Sequence, residues 1–409
     1  MGKKYRFFLV DDDPNIIELF STVLKTDGHT VFRNTSSVAA LPQIIEKKPD
    51  CVLLDIMMPE IDGFELCKRL KVEQSLDQMK IVMISGKTYE YDRQHALALG
   101  ADDFITKPVE VAKLLGRLER IIDDWIELNY WGVRGTIPVP GEKTLKYGGN
   151  TSCISLEFTR GNFFIFDAGT GIMLLSEHLM ARERSRIEAK IFISHPHWDH
   201  INALPFFTPL YMQGNEFEIC GPSQNEVKMR ELISAQMDGM FFPIRIRELG
   251  SRTYFHDLTE EQFEIDGIKV QTMLLNHPGH CLGYRVTYKD RSICYVTDNE
   301  IYPKSSRFFN ENYNGKLKKF VLDADILITD CTYSDKEYET KIGWGHSSIS
   351  EVAGLAERAR VKHLHLFHHD PEQTDDDIDS KLESMREMLV NRKSKTECMA
   401  PKEKQRFFV

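Results

Sequence analysis

The chain has 409 residues, 42% of them hydrophobic, with 52 Lys and Arg against 62 Asp and Glu, a formal net charge of −10. That length and apolar content suit two packed domains, and the acidic balance argues against broad adhesion to nucleic acid, whose binders carry a basic face. Eight cysteines without a CxxC pair read as buried thiols in a reducing compartment, the N-terminal apolar run is too short and too soon acidic for a signal peptide, and no run is long enough to span a membrane, so the expectation is a cytoplasmic protein.

The first predicted element is a strand over residues 5–10, which ends in Asp11, Asp12 and Asp13. A second strand at 51–54 ends in Asp55, a third at 81–84 ends in Ser85, and Lys107 stands directly before Pro108. Segments 16–26, 63–72 and 93–99 repeat apolar residues at helical spacing. Strands alternating with helices predict a parallel, doubly wound sheet whose chemistry gathers at the carboxyl ends of its strands. Three strand ends thus converge carboxylates and a hydroxyl, and Lys107 completes the set.

The stretches VDDDP, LLDIMMPEIDG, VMISG and GADDFITKP follow in register, and residues 1–124 resemble the receiver domain of bacterial response regulators. The resemblance implies a five-stranded α/β fold in which Asp55 accepts a phosphoryl group from a sensor histidine kinase. It further implies Mg²⁺ held by Asp11, Asp12, Asp55 and the backbone carbonyl of Met57, with Ser85 and Lys107 binding the phosphate. Phe104 stands at the position of the switch aromatic, ordinary core packing being the alternative.

From residue 109 the run VEVAKLLGRLERIIDDWIEL keeps helical spacing and passes within a few residues into a strand at 130–133, with no flexible linker between. Phosphorylation of Asp55 is therefore expected to act on the second domain through this helix, or through a receiver homodimer that it helps to form. A receiver that only localises the protein is the alternative.

In the second domain, GGNTS at 148–152 reads as a turn into a strand, with Asn150 either contacting the site or serving turn chemistry alone. The strand 189–193 runs into HPHWDH, which brings His195, His197, Asp199 and His200 together at one strand end. No packing need explains that density of ligands. His195 and His197 can grip one ion while Asp199 and His200 hold another, about 3.5–4 Å away in two-metal hydrolytic sites. Segment 206–249, with KMRELISAQMDGMFFPIRIREL, reads as helical runs. It would pack into the core, or form a lid with Phe241 and Phe242 stacking on a base and Arg245 or Arg247 meeting phosphate.

The strand 268–275 delivers His277 and His280 into a Pro/Gly turn, and the strand 291–297 ends in Asp298, a natural shared ligand between two cations. Tyr333 follows a strand at 324–329, as pocket lining or packing. In GWGHSSISE, His346 precedes a helix whose Ser348 and Glu351 form a capping-box signature. A last strand at 361–367 ends in His368 and His369. The residues themselves leave open which histidine of each pair is the ligand, and whether His346 acts on substrate or is a turn histidine.

DAGTG, HPHWDH, NHPGHCLGYR, VTDNE and LFHHDP follow in order, and residues 125–409 resemble a metallo-β-lactamase fold hydrolase. That resemblance implies an αββα four-layer fold with His195, His197 and His277 on one metal, Asp199, His200 and His368 on the other, and Asp298 shared. Asp199 would also be catalytic. Relatives in the phosphodiesterase branch, the tRNA 3′-end endonucleases among them, carry a late loop histidine, which favours a catalytic His346. Such ligands accept Zn²⁺, the first candidate, and also Mn²⁺ or Fe²⁺. Two such ions lower the pKa of a bridging water enough to give hydroxide near neutral pH.

The expected function is thus a two-component response regulator whose dinuclear output domain is a phosphodiesterase for a cyclic nucleotide or another small phosphodiester. The alternatives are a non-hydrolytic metal- or nucleotide-binding signalling module, and a nuclease or a lactam or thioester hydrolase of the same fold. A redox role is disfavoured, because diiron relatives carry an acidic residue where this chain has His197.

Overall fold

The computed structural model describes residues 3–76, 79–86, 90–159, 161–182 and 186–409. They form two compact units, Met1–Trp125 with Phe158–Gly161, and Ile126–Glu157 with Asn162–Val409. Among the described residues no helix is long and apolar enough to cross a membrane.

The first unit is built on a five-stranded sheet in the order Thr30–Asn34, Arg6–Val10, Cys51–Asp55, Lys80–Ser85, Asp103–Thr106, with every neighbouring pair parallel. Both faces of such a sheet are covered, which is why the central strands read as unbroken apolar runs. Their side chains divide by the two-residue period. Phe8, Val10, Val52, Leu54, Ile81 and Met83 face one core with Leu66, Leu70 and Phe104. Phe7, Leu9, Leu53, Val82 and Ile84 face the other with Ile17, Phe20, Leu24, Leu114 and Leu118. Val10 pairs with Leu54, so Asp11 and Asp55 emerge next to each other. Asp13 starts the helix Pro14–Thr26 by accepting from the Asn15 amide, with proline at the first helical position.

Among its described residues the second unit has two seven-stranded sheets. In the first, the strands Arg252–Leu258, Glu216–Pro222, Glu188–Phe192, Phe163–Phe166, Cys153–Phe158, Ile126–Gly132 and Arg406–Phe408 are neighbours in that order. The second runs Gln262–Ile265, Ile268–Leu274, Leu282–Tyr288, Arg291–Val296, Ile326–Asp330, His363–Phe367, Glu397–Met399. Aromatic side chains interleave between the sheets, Phe166 of the first meeting Tyr284 and Tyr295 of the second with ring centroids 5.5 and 5.6 Å apart. The helix Gly171–Ala181 packs Leu175 and Leu179 against Ile165 and Ile191 on the other face of the first sheet. Helices Ile349–Arg358 and Asp375–Asn391 pack together beside the second.

Parallel neighbours decide where the loops emerge. Glu188–Phe192 lies between Phe163–Phe166 and Glu216–Pro222, both parallel to it, so DAGTG and HPHWDH leave the sheet side by side. In the other sheet Arg291–Val296, Ile326–Asp330 and His363–Phe367 run parallel and release Asp298, Asp330 and His368 at one edge.

Three expectations are corrected. Between residues 206 and 249 the only α-helix is Met229–Gln236, beside the strand Glu216–Pro222 and short 3₁₀ turns, because Asp238, Gly239 and Pro243 interrupt the apolar run. Met229, Ile233 and Met237 are core residues, whereas Met240 and Phe241 stand in solvent and Phe242 meets Phe206 edge-on at 5.3 Å. The capping box at Ser348 is not formed, since the Ser348 hydroxyl lies 3.4 Å from that of Ser350 and makes no bond to the helix amides. The helical pattern of residues 109–128 also stops early. Val111–Asp123 ends at Asp124 in the left-handed region, and a strand begins at Ile126.

Candidate metal centre

The chain leaving Glu188–Phe192 turns at Ser194 and enters the short helix Trp198–Ile201, whose first turn carries Asp199 and His200. Asp167, buried at the end of the neighbouring strand, fixes this turn. Its carboxylate accepts from the Ser194 amide at 2.7 Å, the Ser194 hydroxyl at 2.9 Å and the Tyr295 hydroxyl at 2.7 Å. The same carboxylate meets His200 Nδ1 at 2.7 Å, so the ring proton sits on Nδ1 and Nε2 faces inward with a free lone pair.

Two groups of four donor residues gather around this turn, each with its donor atoms within 4.8 Å of one another, and Asp330, His346 and His368 make a neighbouring group of three. Of the groups of four, one is His195, His197, His277 and Asp298, and the other is Asp199, His200, Asp298 and His368. Asp298 belongs to both through different oxygens. Its Oδ2 lies 3.5 Å from His195 Nε2 and 3.7 Å from His277 Nε2, while its Oδ1 lies 3.4 Å from His200 Nε2 and 3.1 Å from His368 Nε2. His368 Nε2 also lies 3.1 Å from Asp199 Oδ2, which in turn accepts from the Thr136 amide at 2.7 Å.

These residues fit a pair of divalent cations. His195 Nε2 and His200 Nε2 are buried and have no hydrogen-bond partner among the described residues, a state that costs about 1–3 kcal/mol per group unless something else binds there. Imidazole nitrogens and carboxylate oxygens are the donor set of such ions. Burial pushes His195 well below the ordinary histidine range and His277 down to about 4, which leaves both as the neutral rings that ligation needs. Burial alone would raise Asp298, but His368, His200 and His195 hold it well below the usual carboxylate range. His200 goes the other way, since Asp199, Asp298 and Asp167 outweigh its burial and push it well above the ordinary value. A field that favours a proton on His200 equally favours a metal cation in its place.

Tertiary contacts separate the paired histidines. His277 Nδ1 lies 3.1 Å from the Gly345 carbonyl, which turns Nε2 inward, whereas His280 is exposed and its Nδ1 lies 2.8 Å from the Ser223 carbonyl, outside both groups. His368 adopts φ 57°, and its ring fills the space beside Gly135, where a Cβ would lie 2.1 Å from Cε1. The Thr332 hydroxyl donates to the His368 carbonyl at 2.8 Å. His369 belongs to neither group; it is fully buried near the Tyr147 ring, and burial with Lys381 and Arg134 nearby holds it uncharged.

His346 stands against the second group, its ring stacked on His368 at 5.0 Å and 5.4 Å from His277. Its Nδ1 lies 2.7 Å from Asp330 Oδ2, and although burial opposes it, Asp330 pushes His346 up to about 9. Tyr333 is buried and packs edge-on against His346 at 5.8 Å. Glu300 fixes the loop itself. This fully buried carboxylate accepts from the Gly343 and Gly345 amides and the Tyr338 hydroxyl, each at 2.8 Å. Asn150 serves the turn through its backbone, its carbonyl accepting from the Val133 and Arg134 amides at 3.0 Å.

In the first unit, Lys107 Nζ lies 2.8 Å from Asp11 Oδ2 and 2.6 Å from Asp55 Oδ1. Burial raises Asp55, with Asp11 adding to it, and Lys107 opposes the rise. The other Asp55 oxygen accepts from the Met57 amide at 2.6 Å, Ser85 is buried, and its carbonyl accepts from the Lys107 amide at 2.7 Å. Asp12 is exposed beside them.

Comparison with known proteins gives two family matches, a response regulator receiver domain over residues 7–119 and a beta-lactamase superfamily domain over residues 162–369. The DNA-binding response regulator MtrA of Mycolicibacterium smegmatis is 34% identical over 159 residues, which are 38% of this chain and 68% of that protein. The chain spans about half the length of two further curated response regulators that it matches. Among solved structures, the metallo-beta-lactamase fold protein YhfI of Bacillus subtilis aligns over 70% of this chain and 100% of its own, at 16% identity and a TM-score of 0.49. The short form of human tRNase Z aligns over 69% of this chain and 98% of its own, at 22% identity and a TM-score of 0.47.

Proposed function

This chain belongs to the beta-lactamase superfamily and carries a response regulator receiver domain, and we propose that it is a metal-dependent hydrolase of small phosphodiesters whose activity follows the phosphorylation of Asp55. The observation that carries the reading is Asp298, which presents one oxygen to each of two donor groups beside His346. His195, His197, His277 and Asp298 would hold one divalent ion and Asp199, His200, His368 and Asp298 the other, zinc first among the candidates. Ions held there would lower the pKa of water toward neutrality and offset the charge of a phosphate.

The protein's own groups would do the rest. Asp199, whose Oδ2 accepts from the Thr136 amide, would orient the attacking water. His346, with Nδ1 engaged by Asp330, keeps Nε2 as its remaining donor for the leaving oxygen. An acid in that position suits a phosphodiester with an alkoxide leaving group, such as a cyclic nucleotide.

The receiver would take its phosphoryl group from a sensor histidine kinase, with Mg²⁺ on Asp11, Asp12, Asp55 and the Met57 carbonyl and the phosphate on Ser85 and Lys107. Domain limits of 1–124 and 125–409 go with this reading. Only Asp124 and Trp125 separate the helix Val111–Asp123 from the strand Ile126–Gly132, and this short covalent connection is the proposed route of control.

The test is a panel of bis(p-nitrophenyl) phosphate, cyclic nucleotides, cyclic dinucleotides, a lactam and a thioester, offered to purified protein of known metal content. Phosphodiester cleavage that is lost in Asp199→Ala supports the reading. Turnover of the lactam or thioester alone would overturn the substrate class, and stoichiometric nucleotide binding without turnover would make the domain a non-hydrolytic module.

A further inference from the structure

Two tryptophans at the metal centre are left in solvent. Trp198, between His197 and Asp199, is 81% exposed, and Trp344, two residues before His346, is 56% exposed. Tryptophan is among the most buried side chains on average, so two exposed indoles inside the motifs that carry the chemistry are not explained by packing.

Contacts link the two motifs, though not the indoles themselves, across the site. His197 Nδ1 lies 3.1 Å from His277 Nε2, and His277 Nδ1 lies 3.1 Å from the carbonyl of Gly345, the residue after Trp344. On the far side of that loop Tyr333 meets His346 edge-on at 5.8 Å, and Lys341 Nζ lies 5.8 Å from the Tyr333 ring centroid and 4.1 Å from that of Trp344. Acid, ammonium and indole therefore succeed one another along one rim. The rim is also held in place, because Glu300 binds the Gly343 and Gly345 amides on either side of Trp344. Trp344 has its backbone held on both sides by Glu300 and the Lys341 ammonium over one face of its ring, and the indole surface that stays exposed beside a phosphate site suits a ligand that is both flat and anionic.

We infer that Trp198 and Trp344, with Lys341, form a subsite for the base of a nucleotide, so that the phosphodiester cleaved is a nucleotide ester. This rests on the phosphodiesterase reading above and narrows it. Stacking on an indole accepts any base, so the subsite takes purines and pyrimidines alike.

Two substrates with one leaving group isolate the subsite: the p-nitrophenyl ester of thymidine 5′-monophosphate, and methyl p-nitrophenyl phosphate, which has no base. The ratio of their kcat/KM values falls roughly tenfold or more in Trp198→Ala and Trp344→Ala, the size expected for one stacked base, and Trp344→Phe restores most of it. Equilibrium dialysis with thymidine 5′-monophosphate gives a second reading, a Kd weakened by a similar factor in the alanine variants and recovered in Trp344→Phe. A ratio and a Kd that stay within about twofold of wild type in both alanine variants overturn the subsite and leave the hydrolase reading standing. Failure of the wild type to cleave either ester sinks the hydrolase reading, and the dialysis result still decides the subsite.

Discussion

His346 Nδ1 and Asp330 Oδ2 lie 2.7 Å apart at the edge of the second donor group, with Asp330 fully buried. The pair gives the ring one fixed orientation, its other nitrogen unclaimed by Asp330. If His346 supplies the leaving-group proton, His346→Asn lowers kcat on a cyclic nucleotide about 10²- to 10⁴-fold, the usual worth of a general acid. The loss on bis(p-nitrophenyl) phosphate is far smaller, since nitrophenolate departs without a proton. Steady-state kinetics on the two substrates checks this, and equal losses on both would remove His346 from that role.

Asp167 reaches His200 Nδ1 at 2.7 Å and orients the ring from behind. Asp167→Asn is expected to weaken metal retention about 10- to 100-fold, as outer partners of ligating histidines typically do. Competition with a chelator of known affinity measures it, and unchanged affinity would contradict the orienting role.

His365 lies away from the donor groups, with Nδ1 2.6 Å from the Tyr130 hydroxyl, and burial pushes it down to about 3. The unfolded chain protonates this ring as pH falls below about 6.5, whereas the folded chain keeps it neutral until about pH 3. The stability it contributes is therefore complete above pH 6.5 and drains away in the acid range, by about 2 kcal/mol between pH 6.5 and 5. His365→Gln keeps an acceptor for Tyr130 and removes the titration. Urea unfolding at several pH values should show a shallower acid decline for the variant than for wild type; parallel declines would contradict the assignment.

Asp55 and Lys107 are in contact at 2.6 Å, and added phosphate must rearrange that pair. Acetyl phosphate is expected to change the phosphodiesterase rate of wild type and to leave Asp55→Asn unaffected. Equal rates for wild type, treated wild type and variant would reduce the receiver to a localising role.

Much of this was legible in the chain because the relevant residues sit at strand ends. The buried strands Cys51–Asp55 and Lys80–Ser85 are largely apolar runs that close on Asp55 and Ser85, and Glu188–Phe192 leads straight into the donor residues of HPHWDH. The choice within the pairs His277/His280 and His368/His369 was not legible from the residues, because it rests on partners far along the chain, such as the Gly345 carbonyl for His277 and the Ser223 carbonyl for His280. Asp167 and Glu300 stood inside quoted motifs, yet their work depends on Tyr295, Gly343 and Gly345, which only the folded sheets bring to them. Composition leaves segment 206–249 open between core and lid; Met240 and Phe241 stand in solvent, since a helix broken at Asp238 and Gly239 cannot turn them inward.

The most direct test is the number of metal ions that one chain retains after dialysis against zinc and removal of the free ion, measured by elemental analysis in wild type and in Asp298→Ala. Two per chain in wild type, falling to one or fewer in the variant, is the predicted result. A wild type that retains none, or a variant that keeps both, would contradict the shared-carboxylate centre.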